Sequence, residues 1–184
     1  MTNKLLRVLG LGVAAGATLF VPRRNAVANV RTAPNACMSD SSFQRLAFWI
    51  GDWDVFDSTG TRYASQRVRA VVDDCALTAE WTGPVGDKGI SMTGYDPRTR
   101  DWKQVYVTNQ VPGTAGVSIR KSDPSYEGPG IRFIPLADPA PGQGTRLRIT
   151  IMPLPDHRAR QKFEESRDSG KTWRTVFNAE HRPH

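Results

Sequence analysis

Phe48-Trp49-Ile50-Gly51-Asp52-Trp53-Asp54-Val55 is the stretch whose reading decides the fold. It holds a Gly-x-Trp step, Gly51-Asp52-Trp53, where a short helical pattern gives way to the first strand pattern. Glycine reaches backbone conformations closed to other residues, which suits a sharp helix-to-strand corner. The large ring of Trp53 just beyond it is suited to plugging the end of a barrel or sandwich. The stretch therefore predicts an architecture built around an interior.

Just upstream, Ser41-Ser42-Phe43-Gln44 has the Ser-x-x-Gln form of a capping box, and Phe43, Leu46 and Ala47 follow at helical spacing. A helix of about two turns is expected there. Downstream, short alternating stretches read as strands near 52–58, 62–72, 75–83, 89–95, 101–109, 115–121, 131–136, 145–153, 157–166 and 172–181. Ser58-Thr59-Gly60, Asp73-Asp74, Gly83-Pro84-Val85-Gly86, Asp96-Pro97-Arg98 and Pro153-Leu154-Pro155-Asp156 are turn chemistry between them. Most connections are too short for a crossover helix, so neighbours pair antiparallel as a meander. Closure removes exposed edges, which favours an all-β, up-and-down barrel of about ten strands, with one short N-terminal helix, over residues 41–184. Leu136 to Gly144, with Pro139, Pro141 and Gly142, reads as a surface loop.

The first 28 residues read differently. Met1–Arg7 is short and basic, Val8–Val21 is an apolar and small-residue run, and Ala26-Val27-Ala28 is a small-x-small cleavage pattern. This predicts a secretory signal peptide over 1–28, a flexible leader over 29–40, and a periplasmic or secreted domain. Arg23 and Arg24 behind the apolar run leave an uncleaved anchor as the alternative. Loss of the segment removes four basic residues and no acid, so the formal charge of +7 falls to +3. No basic run with stacking aromatics is present, so neither nucleic acid nor, after cleavage, a membrane is an expected partner.

Two cysteines, Cys37 and Cys75, in an exported chain read as a disulfide. Ser166-Arg167-Asp168-Ser169-Gly170-Lys171-Thr172-Trp173 matches the Asp-box pattern of propeller hairpins. A single copy predicts a structural hairpin, with Asp168 bonding backbone amides and Gly170 supplying positive φ.

Taken in order, Phe48 to Val55, Cys75-Ala76-Leu77, Glu80-Trp81, Tyr95-Asp96-Pro97-x-Thr99-x-x-Trp102 and the Asp box resemble a family of exported bacterial proteins, a domain of unknown function with a calycin-like, lipocalin-related barrel. The resemblance covers about residues 43–182 and implies a fold, since the activity of the family is largely unassigned. The Gly-x-Trp step is also similar to the one opening the first lipocalin strand. There a basic residue of the last strand covers the Trp, a role the resemblance gives to Arg182. Nitrobindin-like haem proteins, of the same barrel type, have a Gly-x-Gly-x-Gly run soon after their Trp. Asp54-Val55-Phe56-Asp57 stands in its place here, which argues against haem.

Period-two alternation puts Trp102, Gln104, Tyr106 and Thr108 on one face of their strand, and Gln161 and Phe163 on one face of theirs. Both faces show Gln-x-aromatic, a mixed lining of the kind found in ligand sites. Trp81 is expected to add a wall. These five residues, Trp81, Gln104, Tyr106, Gln161 and Phe163, are the candidate ligand-binding set. Of the three histidines, His157 and His184 read as exposed, and His181 is the one suited to axial haem ligation. No metal-ligand spacing or nucleophile motif is present, so no catalytic residue, metal or cofactor is assigned. The expected function is binding of a small, partly apolar ligand inside the barrel. The rivals are an enzyme using the same interior and a rigid envelope interaction protein with no ligand.

Overall fold

The computed structural model describes Cys37 and residues 40–109, 116–137 and 144–184. The expected signal peptide and most of the leader, with the middle of the 136–144 loop, lie outside the described residues. A 3₁₀ helix, η1 (Phe43–Trp49), precedes β1 (Gly51–Phe56), β2 (Arg62–Val71), β3 (Ala76–Thr82), β4 (Lys88–Asp96) and β5 (Asp101–Thr108). Then come β6 (Gly116–Ser122), β7 (Ile131–Pro135), β8 (Arg146–Leu154), β9 (Arg158–Ser166) and β10 (Arg174–Pro183). All neighbours pair antiparallel in chain order, and β10 pairs with β1 to close a ten-stranded up-and-down barrel. Closure leaves no free sheet edge.

Short-range chemistry makes the hairpins. Val72, Asp73 and Asp74 all sit at positive φ between β2 and β3, and Asp156 and His157 do so between β8 and β9. The second pair has the signs of a type I′ turn, whose twist matches the strands it joins. The Asp box joins β9 to β10. Asp168 accepts from the Ser166 and Thr172 hydroxyls and the Thr172 amide, and Trp173 Nε1 donates to the Gly170 carbonyl. These bonds hold the Asp168 carboxyl far below its usual range, led by the Thr172 hydroxyl. Cys37 and Cys75 form the expected disulfide and tie the segment before η1 to the start of β3.

The helix differs from expectation. It is 3₁₀, its N-cap Ser42 makes no side-chain cap bond, and the Gln44 amide reaches the Cys37 carbonyl at 3.4 Å. Asp40 caps the start instead, accepting from the Ser42 amide at 2.8 Å. The disulfide and the close entry to β1 leave too few residues for a regular α-helix to repay its nucleation.

The plug at this end is apolar. Leu46 and Trp49 from η1 pack with Trp53, Val68, Leu77, Trp102, Ile131, Phe133 and Ile151. Fully burying side chains of this size contributes about 1.5–3 kcal/mol each. Trp53 Nε1 donates to the Trp49 carbonyl at 2.9 Å, which locks the corner. Gly51 has φ 159°, close to ordinary extended backbone, so its need is spatial. A Cβ there would lie 3.3 Å from the Trp53 ring.

The lipocalin-like role expected of Arg182 is not fulfilled. Arg182 pairs in register with Asp54 and lies over the Phe56 ring at 4.1 Å on the outer face. Its neighbour His181 points inward, so alternation turns Arg182 out. His181, with its ring 6.2 Å from that of Trp53, takes the place beside the Trp.

Candidate functional site

Strand alternation divides the interior by height. The η1 end is the packed plug just described. At the opposite rim, Tyr63, Trp81 and Phe177 meet with ring centroids 6.1 Å apart, and Phe163 lies 5.1 Å from Phe177. Tyr63 reaches this cluster because the register shifts opposite Val55/Phe56, and a bulge re-aims the side chain it carries. Trp81 is held by its Nε1 donating to Asp87 Oδ2 at 2.9 Å, from the β3–β4 turn. This aromatic wall spans β2, β3, β9 and β10.

Between rim and plug lies a polar belt. Gln66 of β2 accepts from His181 Nε2 of β10 at 2.8 Å. Gln104 of β5 donates to the Thr93 hydroxyl of β4 at 3.1 Å and accepts from Arg120 Nη1 of β6 at 2.9 Å. The Arg120 guanidinium also lies 5.5 Å from the Tyr106 ring centroid. Tyr106 leans toward the rim, where its hydroxyl occupies the space a Cβ on Gly89 would take. In a ten-strand ring β6 stands opposite β1, so Arg120 faces the aromatic wall across the barrel.

Burial sets the protonation of this belt. It pushes His181 down to about 4, so the ring is neutral. Because the Gln66 carbonyl oxygen accepts from Nε2–H, Nδ1 is the bare nitrogen, and it is buried with no partner among the described residues. An Nε2 held by Gln66 is not free for axial ligation. Burial also lowers Arg120, to about 10, which leaves it cationic at neutral pH.

All five expected ligand-binding residues fall on inward faces, in two groups. Gln104 and Tyr106 join Arg120 on one side, and Trp81 and Phe163 join Phe177 on the other. Gln161 lies below Phe163 on β9, and both it and Gln104 are buried. Their states differ. The Gln104 amide is satisfied at both ends by protein, whereas no side-chain hydrogen bond ties the Gln161 amide or the Tyr106 hydroxyl to the described residues. Two surface grooves, of about 570 and 430 Å³, lie elsewhere and include none of the five.

Arg120, Gln66, His181 and Phe177 belong to this interior and were not in the expected set. For Arg120 the local pattern pointed the other way, because it shares the polar face of 116–122 with Ser118 and Ser122. Among the described residues no group of His, Cys, Asp and Glu could hold a metal ion. No family model matches the chain, and no curated protein sequence matches it.

Proposed function

We propose that this protein is an exported, calycin-like barrel that binds a small, partly apolar molecule in the upper half of its interior. One observation carries the reading. Gln161 is 9% exposed and its amide makes no side-chain hydrogen bond, in a belt where the other amides are paired. That amide is left to water or to a guest beside the aromatic wall, the kind of placed polar group that orients a ligand in a mostly apolar site. The disulfide supports an oxidising compartment for the folded domain.

The test is titration with a neutral fluorescent dye such as Nile red. Saturable binding is expected, weakened by Trp81→Ala together with Phe163→Ala while the far-UV spectrum stays unchanged. Absence of saturable binding to the wild-type protein overturns the reading.

A second reading, an interaction protein with no ligand, has one observation in its favour. Ile90, Val107 and Val117 lie in register across the outer face of β4–β6, and Met92, Val105 and Ile119 form the adjacent row. All six are exposed. Contiguous exposed apolar rows of this kind mark interfaces. Self-association in sedimentation, with no dye binding, would move the balance to this face.

A further inference from the structure

Arg120 differs from three other arginines that the fold partly buries. Arg132, Arg148 and Arg158 each face a carboxylate, from Asp123, Glu164 and Glu180 respectively. Arg120 is more deeply placed, at 9% exposure, and faces none among the described residues. Its one side-chain hydrogen bond among the described residues goes to a neutral amide. Its register neighbours on the inner face are Gln104 of β5 and Pro135 of β7, and Tyr106 lies one step toward the rim. A buried guanidinium is ordinarily paired, because desolvating it alone is expensive.

We infer that Arg120 anchors a carboxylate of the ligand: the interior takes a small monoanion with an aromatic or short aliphatic body, its charged end on the guanidinium and its body against Trp81, Phe163 and Phe177. This rests on the interior-binding reading above and adds the charge and size of what binds.

Three features of the site select that class. The guanidinium fork, with Nη1 on Gln104, keeps nitrogens for two parallel bonds, the geometry a carboxylate accepts. A phosphate dianion would want further cations, and the side chains flanking Arg120 on the inner face are neutral. The Tyr106 hydroxyl and Gln161 amide add neutral polar contacts to the same ligand. Length is bounded as well. From Arg120 to Gly116 at the rim is four residues, about 13 Å along the strand at 3.3 Å per residue, and less along a tilted barrel axis. Below the belt the plug is packed by Trp49, Phe133 and Ile151. One or two fused rings, or a chain of under about ten carbons, fit that depth, and a long-chain lipid does not.

The experiment compares 2-naphthoate with its neutral near-isostere 2-naphthamide by calorimetry, on the wild-type protein and on Arg120→Met and Arg120→Lys. Wild type should prefer the naphthoate at least tenfold. Arg120→Met should reduce that preference below twofold, and Arg120→Lys should keep part of it. Equal binding of the two probes to wild type overturns the anchor and leaves interior binding standing. Binding of neither overturns both. A preference that survives Arg120→Met intact places the anion elsewhere and also overturns the assignment. Should Arg120→Met fail to fold, the wild-type comparison and Arg120→Lys decide the question between them.

Discussion

His181 and Gln66 are 115 residues apart in the chain and 2.8 Å apart in the barrel, joined beneath the strand that carries Trp53. The bond ties β10 to β2 across β1, so it braces the seam where the barrel closes. It also fixes which ring nitrogen holds the proton, and leaves Nδ1 without a hydrogen-bond partner among the described residues.

Acid stability follows from that. Burial lowers His181 from 6.5 to about 4, so above pH 6.5 neither the folded nor the unfolded ring is charged. As pH falls from 6.5 to 4 the unfolded chain binds a proton that the native state refuses, and stability drops by about 3 kcal/mol as a ceiling. A second loss comes lower. Burial opposes ionisation of Glu164, but hydrogen bonds from Arg148 and Lys162 outweigh it and hold the carboxyl at about 2. Its stabilisation is therefore present above 4.5 and disappears as pH falls toward 2. Denaturant midpoints of wild type and His181→Gln measured from pH 7 to 4 check the first step. The wild-type curve should fall more steeply, and parallel curves would show that His181 is not the group titrating.

The corner should be intolerant in a graded way. Trp53→Ala removes a ring that packs with Leu46, Trp49 and Val68, and a loss of about 3–5 kcal/mol is expected. Gly51→Ala brings a Cβ to 3.3 Å from that ring, and Gly51→Val adds two methyls in the same space. Overpacking of this sort costs about 1–3 kcal/mol, more for Val than for Ala. Urea unfolding of the three variants gives the order, and an unchanged midpoint for Trp53→Ala would remove Trp53 from the core.

The strands and turns were legible because their signals are local. Alternation and the Asp-rich or Pro-rich turns placed all ten strands within a few residues of where they lie. The helix type and the place of Arg182 were not, because each depends on contacts made by distant segments. Gln44 was drawn off by Cys37, and the parity of β10 was set by pairing with β1. Arg120 shows the hardest case. Hydropathy alone turns Val117 and Ile119 inward and Arg120 outward, yet Val117 and Ile119 are 65% and 49% exposed and Arg120 is buried. Register with β5 decides this, since Gln104 and Arg120 are partners on the inner face.

The covalent frame should show directly. Free-thiol titration of the unfolded, unreduced protein is expected to find no thiol. Replacing both cysteines by serine should lower stability by up to about 4 kcal/mol, the chain-entropy figure for a loop of 38 residues. Two thiols in the titration would contradict the Cys37–Cys75 link.

Arg120 separates a binding role from a structural one by its effect on the ligand-free protein. Burial lowers its proton affinity well below that of a free guanidinium, to about 10, so holding the charge inside the barrel works against folding at neutral pH. The shift corresponds to about 3 kcal/mol. Against it stands the charged hydrogen bond to Gln104, worth about 1.5–3 kcal/mol. Arg120→Met removes both, with side-chain bulk largely kept, so the two effects should nearly cancel. The thermal midpoint of the ligand-free variant should stay within a few degrees of wild type or rise. An arginine kept for the fold behaves otherwise: its loss would lower stability by more than about 2 kcal/mol. A thermal melt of the two proteins, each stripped of ligand by refolding from guanidinium, therefore tests whether this guanidinium serves the barrel or what the barrel holds.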